Sequence, residues 1–162
     1  MIYTEAVNHL FIPMLQFEEY TRIIEDFNKR LGTISDEIAG KKPADGTWSL
    51  KEIIGHLIDS AGNNHQRFVR LQEGNLNLFP TYNARFWIEK QYYQNANWTV
   101  LRSLWYNFNL HLLFIIEKFP DSSLTHEWIL EEDLSCDLEW LIEDYYVHLN
   151  HHIQKFIAKC PD

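Results

Sequence analysis

Residues 48–71 read WSLKEIIGHLIDSAGNNHQRFVRL, and the spacing of their apolar side chains decides the fold class. Ile53, Ile54, Leu57 and Ile58 recur three and four positions apart, which places them on one face of a helix. Ser49 and Glu52 stand three apart just before that run, the spacing at which each side chain satisfies the other's orphan backbone donor in a capping box. A long helix therefore starts at about residue 50. Gly55 interrupts it at a cost of about 1 kcal/mol relative to alanine, so something packs closely at that level.

The same period extends in both directions. Before this helix, Leu15, Tyr20, Ile23, Ile24, Phe27, Leu31, Ile34 and Ile38 predict a helix over residues 14–39, stopped near Gly40 and Pro43. After it, residues 73–84 hold Gly74, Pro80 and several asparagines and read as a long loop, followed by a short helix over residues 85–92. TVLRSLWYNFNLHLLFIIEKF, residues 99–119, predicts a third long helix capped near Thr99 and ended by Pro120. A fourth runs from Leu138 to Lys159, with Ser135 or Asp137 as its cap and Pro161 beyond it. No stretch alternates with the period of two that marks strands. Helices of about 20 residues are about 30 Å long, which suits a bundle. The expectation is all-α: a four-helix bundle with a short extra helix between helices 2 and 3, one domain over residues 1–162.

Composition limits the function classes. Hydrophobic residues are 46% and aromatic residues 15% of the 162, enough apolar surface for one core. The formal net charge is −9 and no basic run is longer than a pair such as Lys41-Lys42, so the electrostatic footprint of a nucleic-acid binder is missing. No apolar run approaches the roughly 18 residues of a membrane span, and the first residues show no signal-peptide pattern. Cys136 and Cys160 form no framework. A soluble, cytoplasmic protein is expected, with neither nucleic acid nor membrane as partner.

Chemistry concentrates in the histidines. In YYVHLNHHIQKF, residues 145–156, His148 and His152 lie four apart, within or beside the apolar stripe of the last helix, so their rings project one turn apart toward the interior. His151 is about 100° away around the helix. Two such imidazoles can chelate one divalent ion. The plain alternative is a pair of buried histidines bonded to carbonyls or hydroxyls, as buried polar groups usually are. His56, on or beside the apolar face of the second helix, supplies a third candidate ligand. Asp59, Asn63 and Arg67 continue a polar strip from it along that helix and are the candidate catalytic residues. Asp59 or Asn63 would hold a ring tautomer or a water; the alternative for the strip is a half-solvated edge. His9, His65, His111 and His126 are weaker candidates. HExxH, GxSxG, GxGxxG and the phosphate-binding loop are all absent, as is the Glu-x-x-His pairing of di-iron bundles.

The run W-S-L-K-E-I-I-G-H-L-I-D-S-x-x-N-x-x-x-R-F at residues 48–68, with H-L-N-H-H-I at residues 148–153, resembles the DinB-like superfamily and its branch of YfiT-like metal-dependent hydrolases. The resemblance spans about residues 10–157. It implies a bundle of up-down-down-up character, a three-histidine divalent metal site made by His56, His148 and His152, and a homodimer. It also implies a thiol-S-transferase or hydrolase acting on a small molecule, with a low-molecular-weight thiol as a partner. Zinc or nickel is the expected metal, with iron or manganese as further choices.

Three neutral imidazoles leave such an ion its charge and an open position, the pattern of catalytic sites. Water there can be acidified to a pKa of about 7, or a thiol held as thiolate. The alternative function is a non-catalytic metal-binding or stress-response bundle.

Overall fold

A computed structural model describes residues 16–43, 46–131 and 134–159. The expected helix start at residues 14 and 15, together with His9, Cys160 and Pro161, lies outside the described residues.

Four long helices dominate: α1 (Phe17–Gly32), α3 (Leu50–Leu71), α5 (Trp98–Ile116) and α6 (Leu138–Lys159). Short α2 (Asp36–Gly40) precedes α3, and α4 (Ala84–Lys90) lies between α3 and α5. The helix expected over residues 14–39 is thus two helices. Its chain breaks after Gly32, and the Ser35 hydroxyl accepts from the Ile38 N–H at 3.2 Å to cap a new helix. Asp36 secures that piece: its carboxylate accepts from Lys51 Nζ on α3 and from the Trp98 N–H of α5, both at 2.9 Å.

The capping box is present, with the Glu52 carboxylate accepting from the Ser49 N–H at 2.8 Å, and Lys42 pairs with the same carboxylate. α5 is capped by Asn97 in place of Thr99: the Asn97 side chain accepts from the Val100 N–H at 3.1 Å. Asp137 caps α6, accepting from the Trp140 N–H at 2.8 Å.

The long helices pack in a ring, α3 on α5 and α6, and α1 on α5 and α6. Phe27 of α1 centres the packing, meeting Trp105 and Phe156 edge-on at 5.1 and 5.0 Å between ring centroids. A polar tie crosses this core where the buried Tyr145 hydroxyl donates to Asn109 Oδ1 at 2.6 Å and the Asn109 amide donates to the Trp105 carbonyl. α3 is covered on several sides at once, so every side chain from Leu50 to Ala61 is buried. That is why the polar strip on this helix is interior and not a solvated edge.

The expectation of no strands is corrected by a small three-stranded sheet at one end. β1 (Leu76–Asn77) pairs in parallel with β2 (Glu127–Glu131), which pairs antiparallel with β3 (Leu134–Asp137). Leu76 stands opposite Trp128 and Trp128 opposite Cys136. The register shifts between Ile129 and Glu131, and strands of two to five residues are too short and irregular to show a period. The sheet seats Trp128, 1% exposed, against the C-terminal half of α3.

Candidate metal centre

His56 comes from α3, and His148 and His152 from α6. One ring nitrogen of each lies within 4.8 Å of the other two. The Nε2 atoms of His148 and His152 are 3.1 Å apart. Two ligands of one tetrahedral zinc stand about 3.3 Å apart when each bond is about 2.0–2.1 Å, so this pair is already at chelating distance. The i, i+4 spacing of α6 sets that separation, and the α3–α6 packing brings His56 to 4.8 Å from the His152 ring and 5.6 Å from the His148 ring.

Burial keeps these rings neutral. Desolvation lowers the His56 pKa to about 4, helped by the charge His148 would carry, and lowers that of His152 to about 3. His148 is lowered for the same first reason. Neutral imidazole is the ligand form. The Nδ1 atom of His56 is buried with no hydrogen-bond partner among the described residues. Three neutral rings with converging nitrogens, one of them holding an orphaned buried atom, fit a divalent transition metal.

Acid stability follows. An unfolded histidine takes its proton near pH 6.5, whereas folded His56 resists until about pH 4. Below pH 6.5 the unfolded chain therefore binds more protons, and stability falls with pH down to about 4. For His56 alone the loss is roughly 3 kcal/mol in metal-free protein. Urea melts at pH 7.0, 5.5 and 4.5 measure it, with a flatter profile expected in His56→Gln.

Two cavities flank the cluster. One, of about 380 Å³, is lined by His56 and His148 and by Ser60, Asn64, Arg67, Thr81, Tyr82 and Asp144. The other, of about 550 Å³, is lined by His152 together with Trp48, Ile53, Ile88, Arg85 and Lys155. α4 and the loop before it separate them, since Ala84 faces the first and Arg85 the second.

The polar strip of α3 divides between two tasks. Arg67 reaches the smaller cavity, its guanidinium 4.1 Å over the Trp128 ring and donating to Asn64 Oδ1 at 3.2 Å. Asp59 instead accepts from the Tyr93 hydroxyl at 2.7 Å and from the Gln91 side chain, which fastens the segment after α4 to α3. Asn63 donates to the Asp59 carbonyl at 2.9 Å. Neither Asp59 nor Asn63 lines either cavity.

Asp144 was missed by the sequence reading, although it stands four residues before His148, on the same face of α6. Trp128, Thr81 and Tyr82 come from the sheet and the long loop and carried no signal. Among the weaker histidines, His126 Nδ1 is 2.5 Å from the Leu71 carbonyl, and His65 stands 5.6 Å from His111 across α3 and α5.

The profile of the DinB superfamily matches residues 19–155. Among solved structures, YfiT from Bacillus subtilis, described as a probable metal-dependent hydrolase with an unusual four-helix bundle topology, aligns with a TM-score of 0.77 at 18% identity. That alignment covers 96% of this chain and 93% of YfiT. The mycothiol-dependent maleylpyruvate isomerase aligns with a TM-score of 0.66 at 14% identity, over 86% of this chain and 60% of the isomerase. At these identities the likeness is one of fold. No curated protein matches.

Proposed function

From the premise that the chain belongs to the DinB superfamily, we propose that it is a metal-dependent enzyme acting on small molecules, with thiol transfer preferred over hydrolysis. His56, His148 and His152 would hold one divalent transition metal ion, zinc or nickel ahead of iron or manganese. When bound, the ion supplies Lewis acidity, which favours the reactive anion of a water or a thiol.

The rest is the work of the chain. Burial keeps all three rings in the ligand form. Asp59, through Tyr93 and Gln91, fixes α4 as the wall between the cavities. Arg67 and Asp144 supply charge to the smaller cavity, and Trp48, Ile53 and Ile88 give the larger one apolar walls.

The observation that carries the reading is the convergence of the three ring nitrogens within 4.8 Å. The pair of cavities favours transfer, because hydrolysis requires room for only one organic molecule besides water. The isomerase described as mycothiol-dependent supports a thiol as one of the two. A homodimer in the reducing cytoplasm belongs to the same proposal.

Elemental analysis of protein purified without a histidine tag tests the metal. About one equivalent is expected in the wild type and less than a tenth in His148→Ala. A screen of low-molecular-weight thiols against alkylating electrophiles tests the chemistry. Conjugation lost in folded His56→Ala is expected; a full complement of metal with no turnover of any pair would leave a non-catalytic metal-binding bundle.

A further inference from the structure

The smaller cavity carries two opposite charges from two helices. Arg67 stands three turns beyond His56 on α3, and Asp144 stands one turn before His148 on α6, so each charge shares a helix with a histidine of the cluster. Arg67 is only 6% exposed, and its orientation is set by the Trp128 face and by Asn64. A guanidinium held this way is ready for a carboxylate without further ordering cost. Burial raises the Asp144 pKa above the ordinary carboxylate value, a rise that the nearby Arg67 charge opposes without cancelling. Ser60, Thr81 and Tyr82 also line the cavity, and their hydroxyls can donate or accept hydrogen bonds.

Resting on the metal reading above, we propose that this cavity receives the zwitterionic head of an α-amino acid that carries a thiol. Its carboxylate meets Arg67, its ammonium meets Asp144, and its sulfur faces His56 and His148, the two histidines of the cluster that line this cavity. The charge pattern argues for both groups at once. A ligand with a carboxylate alone meets Asp144 as a like charge, and one with an amine alone meets Arg67 as a like charge, in a half-enclosed space where such repulsion is poorly screened. A zwitterion presents an opposite charge to each of the two groups.

The test uses three thiols of similar size on cobalt(II)-loaded protein: L-cysteine, cysteamine, which lacks the carboxylate, and 3-mercaptopropionate, which lacks the amine. Binding is read from the sulfur-to-cobalt charge-transfer absorption and by calorimetry. L-Cysteine is expected to bind at least tenfold more tightly than either analogue. In Arg67→Met its advantage over cysteamine should vanish while that over 3-mercaptopropionate remains, and in Asp144→Asn the reverse.

Equal affinity for the three thiols in the wild-type protein, or no binding of any, would overturn the proposal without recourse to variants. Failure of the metal reading is separately visible. Cobalt would then give no visible band that His148→Ala abolishes, and calorimetry on metal-free protein would still rank the three ligands.

Discussion

Gly55→Ala is expected to cost the fold about 3 kcal/mol, the upper end of the range for overpacking a filled interior. A methyl group at this position would lie 2.2 Å from Cδ2, 2.3 Å from Cγ and 2.7 Å from Cε2 of Tyr93. Flexible side-chain ends can yield to such contacts; this ring cannot. It is 6% exposed, and its hydroxyl is held by Asp59. The preceding residue, Tyr92, already adopts left-handed backbone at φ 54°, a conformation that side chains other than glycine disfavour.

For a chain of this size the loss corresponds to a fall in melting temperature of about 6–12 °C. Gly62→Ala on the same helix is the control. There the added carbon would meet only Phe108 at 3.7 Å, ordinary contact, so a gain of up to about 1 kcal/mol from helix propensity is expected. Thermal melts of both variants decide the matter. Equal stability of Gly55→Ala and the wild type would mean that Tyr93 does not pack on α3.

Metal removal should have the other large effect. On the proposed function, an ion bound by the folded state alone stabilises it by about 4 kcal/mol when its free concentration is a thousand times Kd. Zinc at that excess should therefore raise the melting temperature by about 8–16 °C, and a chelator should reverse the rise. In His148→Ala two ligands remain, on two helices, and the rise should shrink to a small fraction. His151→Ala is the control: that side chain is exposed, its ring is 5.7 Å from His152, and it lies outside the converging set. A zinc response in His148→Ala equal to that of the wild type would remove the ion from this place.

The bundle was legible in the chain because helices declare themselves locally. The 3.6-residue period, the Ser49–Glu52 box and the proline after α5 each act within a few residues of where they are read. The histidine pair was legible for the same reason, since one turn of helix fixes the spacing of His148 and His152. That His56 meets them depends on packing, but an imidazole on an apolar face of a second long helix narrowed the choice.

What depended on distant partners was not legible. Asp59 has the polar character of a site residue; its Oδ1 accepts from Gln91 and Tyr93, more than thirty positions away, and its buried Oδ2 has no hydrogen-bond partner among the described residues. Ser35 did carry a readable signal: a serine before two acids caps α2, and weighing it would have divided the first helix correctly.

The parallel ladder between β1 and β2 has a kinetic consequence. It joins segments about fifty positions apart, as does the side chain of Asn75 accepting from the Glu127 N–H, 52 residues away. Closing so long a loop for so few bonds brings little return until the helices already hold the ends together. The ladder therefore forms late. Trp128 sits on that ladder with its ring 4.1 Å from the Arg67 guanidinium, so the support of that guanidinium is expected to arrive with it.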